Sequence, residues 1–161
     1  MIVIVMGVVG AGKTTVGKLL ASQLGWEFAD ADDFHPQSNV EKIRHGIALT
    51  DEDRGPWLDH LREAIVRWIA EGKSVVLACS ALKRAYREKL VLSPQVRFVY
   101  LKGSATLIAD RLRSRHGHFA GESILASQLA DLEEPEKAIT VDISDTPEQI
   151  VAEIRRALAI E

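Results

Sequence analysis

The run Gly7-Val8-Val9-Gly10-Ala11-Gly12-Lys13-Thr14 has the spacing Gly, four residues, Gly-Lys-Ser/Thr, and it lies between an apolar run at 2–6 and a helical stretch at 15–24. Few short patterns restrict a fold as tightly. Strand, glycine loop and helix in that order make a cradle of inward-facing backbone N–H groups at the positive end of a helix dipole. Glycines let the backbone wrap closely around a polyphosphate. Lys13 is placed to reach the β and γ phosphates, and the Thr14 hydroxyl to help hold a Mg²⁺ that bridges them. With Thr15, the cradle is expected to comprise residues 7–15. The competing reading is a strand-to-helix turn that binds nothing. A dinucleotide fingerprint is set aside, because Gly7, Gly10 and Gly12 have the wrong spacing and Lys13 and Thr14 would have no role.

Short apolar runs at 2–6, 27–29, 74–79, 96–101 and 138–143 alternate with stretches of helical period, which predicts five strands of a parallel α/β sheet joined by crossover helices. A helix is expected over 57–71, with Leu58, Leu61, Ile65, Trp68 and Ile69 on one face and Gly72 as a stop. Trp57 and Trp68 read as core anchors. The last helix should begin at Asp145 or Thr146, with Pro147 in its first turn. The chain has 161 residues, 47% of them hydrophobic, which suits one domain with a core of its own. A formal charge of -3 argues against a nucleic-acid partner and favours a small molecule. Charges such as Lys13 and Lys18 interrupt every apolar run before it could span a membrane. The single Cys79 leaves no internal disulfide, which fits a cytoplasmic setting.

The second strand runs into Asp30-Ala31-Asp32-Asp33-Phe34-His35, at the strand ends where α/β sheets collect ligands. Asp32 is the candidate base for an attacking hydroxyl, and Asp30 the candidate to orient water on Mg²⁺; an acidic Asx-turn is the structural alternative. Lys42, Arg44, His45 and Arg54 follow, and Ser80, Lys83, Arg84 and Arg87 come after the third strand. Such cations suit an acceptor bearing a carboxylate or phosphate, although a solvated surface charge is the ordinary alternative for each. His35 and His118 read equally as ligand donors or as satisfied histidines. The third strand ends in Cys79-Ser80 rather than in an Asp, which points away from GTPases and motor ATPases. A helix over 107–115 carries Arg111, Arg113 and Arg115 and reads as part of a lid that brings positive charge and excludes water, or else as an exposed basic face.

Five segments occur in order: GVVGAGKTT, DADDFHPQSNVEKIRHGIALTDEDRGPWL, CSALKRAYREKL, RLRSRHGHF and SQLADLEEP. Together they resemble the gluconokinase family of P-loop sugar-acid kinases over nearly the whole chain. The resemblance implies transfer of phosphate from ATP, with Mg²⁺, to the 6-hydroxyl of D-gluconate. It also implies a fold similar to nucleoside monophosphate kinases, with strand order 2-3-1-4-5, an acceptor region at about 35–60, a lid at about 111–135, and commonly a homodimer. By the same resemblance Asp32 looks like the base. His35, Lys42, Arg54, Ser80, Lys83, Arg87 and His118 look like acceptor contacts, Arg111 like the residue packed against adenine, and Arg115 like a phosphate contact. Two departures are Ala31, where many members carry Gly, and the small residues that follow Phe119, which bear on lid packing.

Overall fold

The computed structural model describes residues 1–116 and 120–160, with the side chains of 115, 116 and 120–123 outside the description. Five strands, β1 (Ile2–Met6), β2 (Glu27–Asp30), β3 (Val75–Ala78), β4 (Val96–Lys102) and β5 (Ile139–Asp142), form one sheet in the order β2-β3-β1-β4-β5. Every pairing is parallel, as the unbroken apolar runs require of strands covered on both faces. The expected order is found. Seven helices surround the sheet among the described residues: α1 (Lys13–Leu24), α2 (Gln37–Arg44), α3 (Asp51–Ala70), α4 (Arg84–Leu90), α5 (Ala105–His116), α6 (Ala120–Asp131) and α7 (Pro147–Leu158).

The alternation of side chains along β1 divides the core in two. Val3 and Val5 pack with Leu20 of α1 and Ile150 and Ile154 of α7, whereas Ile2, Ile4 and Met6 pack with Leu58, Leu61 and Ile65 of α3. The central strand is thus buried on both faces, and its carboxyl end feeds the glycine loop into the middle of the sheet edge.

Two helix starts differ from the sequence-based expectation or sharpen it. Helix α3 begins six residues before 57, because Thr50 accepts from the Asp53 N–H and Asp53 Oδ2 accepts from the Thr50 N–H, a reciprocal cap that overrides Pro56 one turn in. Helix α7 takes Thr146 rather than Asp145 as its cap, with Gln149 completing the same kind of box and Pro147 in the first turn. Trp57 and Trp68 are buried as expected, and the Trp57 indole N–H donates to the Ala31 carbonyl at 2.7 Å.

Candidate active site

Three hollows lie end to end along the carboxyl edge of the sheet. The first, about 400 Å³, runs past Arg111, Ser114, Asp145 and Pro147 and shares Gly10, Gly12 and Thr15 with the second. The second, about 290 Å³, is the glycine loop itself with Lys13, Thr14, Asp30 and Asp32. The third, about 270 Å³, is walled by Ile43, Ile47, Leu49, Trp57 and Leu82 and carries His35 and Arg54. Val9, Asp32, Ser80 and Gln128 belong to both the second and the third. Asp32 therefore stands where a polyphosphate tail and a second small molecule would meet.

The loop geometry follows from its glycines. Gly10 and Gly12 hold φ of 81° and 97°, which favour glycine, and a Cβ on Gly10 would lie 2.8 Å from Leu112 Cγ. Gly10 thus lets α5, which carries Arg111, close against the loop. Lys13 Nζ donates to the Val8 carbonyl at 3.0 Å, inside the cradle. Burial lowers its pKa, and Asp32, Cys79 and Asp30 oppose that shift. The Arg111 guanidinium donates to the Ile143 carbonyl, which holds it at the wall of the first hollow.

Asp30 caps the 3₁₀ turn Ala31–Phe34: its Oδ1 accepts from the Asp32 N–H at 2.9 Å. This is the Asx-turn alternative, realised at a residue that also lines the phosphate hollow. The turn projects Asp32 into the cleft with its side chain 80% exposed. Partial desolvation in the cleft raises its pKa; Asp30 raises it further and Lys13 opposes. The carboxylate remains in contact with solvent and is placed to accept a proton. Asp33 is exposed on the same turn.

The His35 side chain is only 5% exposed and stacks on Trp57, ring centroids 4.6 Å apart. Asn39 fixes its tautomer. Asn39 Nδ2 donates to the Asp53 carbonyl at 2.7 Å, so the atom 3.2 Å from His35 Nδ1 is also a donor and Nδ1 accepts. The proton of the neutral ring therefore sits on Nε2. Burial, with the nearby Arg54 charge, lowers the His35 pKa to about 4, so near neutral pH it serves as a donor without charge.

Among the expected acceptor contacts, Asp32, His35, Arg54 and Ser80 line the third hollow. Lys42 and Lys83 stand back from it, paired with Asp53 at 2.8 Å and Asp51 at 2.9 Å. Arg54 donates to Tyr86 Oη at 2.8 Å and to Asp131 Oδ2 at 3.3 Å. Tyr86 in turn donates to Asp51. Arg87 does not face the hollow: it is 8% exposed, and its guanidinium donates to the carbonyls of Ala81, Leu82 and Glu133. It fastens the loop after β3, where Ala81 holds φ of 46°. His118 lies outside the described residues, as does the Arg115 side chain, though its backbone continues α5.

Sequence reasoning overlooked Asn39, the apolar wall of Ile43 and Ile47, and Gln128. The first two lie in the long acidic and basic segment after β2, where charged residues dominate the local pattern. Gln128 belongs to SQLADLEEP, and nothing in its local sequence shows that its Oε1 accepts from the Val9 N–H of the glycine loop at 2.6 Å.

For a metal, the available donors are hard oxygens: the Thr14 hydroxyl and the Asp30 carboxylate beside the phosphate hollow. Among the described residues no cluster of three or more His, Cys, Asp or Glu could hold a metal ion. That donor set fits Mg²⁺ arriving with a nucleotide's phosphates rather than a protein-built cage. Cys79 is buried, its thiol pushed up to about 12 by desolvation. Among the described residues no helix is long and apolar enough to cross a membrane.

The sequence matches a family model described as shikimate kinase over residues 9–159. It is 46% identical to a probable gluconokinase of Xenopus tropicalis, covering 96% of this chain and 91% of that protein. It is 44% identical to a gluconokinase of Gluconobacter oxydans (strain 621H), covering 98% and 91%. A crystal structure of a gluconokinase from Sinorhizobium meliloti 1021 superimposes with a TM-score of 0.88 at 41% identity, covering 98% of this chain and 90% of that one. The shared architecture is that of P-loop kinases with an alcohol acceptor, and within it this chain belongs to the gluconokinase family.

Proposed function

We propose that the chain transfers the γ-phosphoryl group of ATP to the 6-hydroxyl of D-gluconate. The observation that carries this reading is the junction of the phosphate hollow and the acceptor hollow at Asp32 and Ser80. In the step, Asp32 accepts the hydroxyl proton, the acceptor oxygen bonds to phosphorus, and the bond from phosphorus to the β–γ bridging oxygen breaks, releasing ADP. Lys13 balances charge on the β and γ oxygens, and Arg115 adds to it from α5. Arg111 flanks the adenine. Thr14 and Asp30 would hold Mg²⁺, which would shield phosphate charge.

The apolar wall of Ile43, Ile47 and Leu49 covers the carbon chain of the sugar acid, and Arg54 meets its carboxylate as the one cation lining that hollow among the described residues. His35 and Ser80 are placed for hydroxyls. Lys42 and Lys83 act from behind, holding Asp53 and Asp51, and His118 joins from the lid at about 111–135. The same family reading extends to a single domain, a homodimer and a cytoplasmic setting, which size-exclusion and fractionation measurements check.

Because the matching family model is described as shikimate kinase, acceptor choice is the direct test. ADP release by the purified chain is measured with gluconate, shikimate and AMP in turn. Gluconate is expected to support turnover at least about a hundredfold above the other two, since buried polar groups left unpaired penalise the wrong acceptor. Comparable turnover with shikimate, or none with gluconate, overturns the reading. Gly10→Ala is expected to weaken ATP binding by about tenfold, because strain at a positive φ and the clash with Leu112 open the loop from α5. Titration with a fluorescent ATP analogue measures this.

A further inference from the structure

Gln128 spans both chambers of the cleft, and its two polar atoms have separate fates. The Val9 backbone N–H can only donate, so the amide atom 2.6 Å from it is the carbonyl oxygen Oε1. The orientation of the amide is thereby fixed, with Nε2 and its two hydrogens directed elsewhere. Among the described residues no protein group accepts from Nε2. Gln128 is half-buried and lines both the phosphate hollow and the acceptor hollow, alongside Asp32 and Ser80. A second contact from the same helix, Asp131 to Arg54, seats the end of α6 against the acceptor hollow. The amide is thus anchored on one side by the glycine loop and carries, at the boundary that the phosphoryl group must cross, a donor that no described residue accepts from.

We propose that Gln128 is a catalytic residue whose Nε2 donates a hydrogen bond to an oxygen of the phosphoryl group during its transfer, while Oε1 holds the amide in place on the Val9 N–H. This inference rests on the kinase reading above. A neutral donor aimed at developing negative charge lowers the barrier without attracting the acceptor's carboxylate, and anchoring means that little reorganisation accompanies the step.

Two substitutions separate donation from docking. Gln128→Glu keeps an oxygen for the Val9 N–H and replaces the donor with an anion; Gln128→Ala removes both. Each is expected to lower kcat by about tenfold or more with KM for ATP and gluconate within about threefold, and Q128E is expected to fall at least as far as Q128A. Melting temperature and binding of a fluorescent ATP analogue establish that each variant is folded; Gln128→Met replaces Ala as comparator if Ala unfolds. A Q128E enzyme clearly more active than Q128A assigns the effect to docking and overturns the proposal. So does a folded Q128A or Q128M enzyme with kcat within about twofold of the parent chain. Failure of the unaltered chain to release ADP with gluconate is a separate outcome and overturns the functional reading itself.

Discussion

Asp32→Asn is expected to lower kcat for gluconate phosphorylation by about 10²–10⁴-fold, the range associated with loss of a positioned proton acceptor. The substitution keeps the shape of the side chain and the backbone N–H that binds Asp30. ATP and gluconate should therefore still bind, with KM values close to those of the parent chain. Stability moves the other way. Asp32 has a pKa raised by desolvation and by Asp30, so its ionised form costs folding free energy as pH rises through that pKa, whereas below the ordinary carboxylate value the cost is absent. A neutral amide removes the cost, and the melting temperature of the variant near neutral pH should be no lower than that of the parent. The parent's kcat/KM should also fall on the acid side with a midpoint above the usual carboxylate value, and that limb should be missing in the variant's residual activity. Steady-state kinetics across pH, with thermal melts on the same samples, test all three. Near-normal turnover by the variant removes Asp32 from the chemistry.

Arg87→Met carries the largest expected effect on stability. Its guanidinium supplies hydrogen bonds at 2.7, 3.1 and 2.8 Å to three carbonyls that hold the loop after β3 and the segment after α6 together. Methionine fills similar space and leaves those carbonyls without their donor, at a cost of about 3 kcal/mol. For a chain of this size that corresponds to a fall of about 6–12 °C in melting temperature. An acceptor-binding role for Arg87 makes the opposite pattern: a raised KM for gluconate with an unchanged melt. Measuring both separates the two roles.

The contrast between Asp32 and Arg87 shows what was legible in the sequence. The strands and the glycine loop depend on local periodicity and on short motifs, so β1 through β5 lie where the apolar runs place them, whereas the sheet order came only with the family resemblance. Asp32 and Asp30 were also legible, because a strand end followed at once by a turn fixes both within a few residues. The start of α3 was not, since the apolar stripe begins only at Trp57 and Leu58, whereas the cap that Thr50 and Asp53 make lies in the charged stretch upstream. The cations were legible only as a set. Whether Lys42, Arg54, Lys83 or Arg87 faces the hollow depends on distant partners, Asp131 for Arg54 and the Glu133 carbonyl for Arg87, and no local pattern encodes those contacts. Gln128 is the extreme case, 119 residues from the N–H it accepts.

The central claim is that two chambers meet at Asp32, one for the triphosphate and one for the sugar acid. A crystal structure with gluconate and a non-hydrolysable ATP analogue tests it most directly. The account predicts gluconate in the hollow walled by Ile43, Ile47 and Trp57, with its 6-hydroxyl within about 3.2 Å of an Asp32 carboxylate oxygen and facing the terminal phosphate. Gluconate bound outside that hollow, or Asp32 turned away from the hydroxyl with both ligands in place, would contradict it.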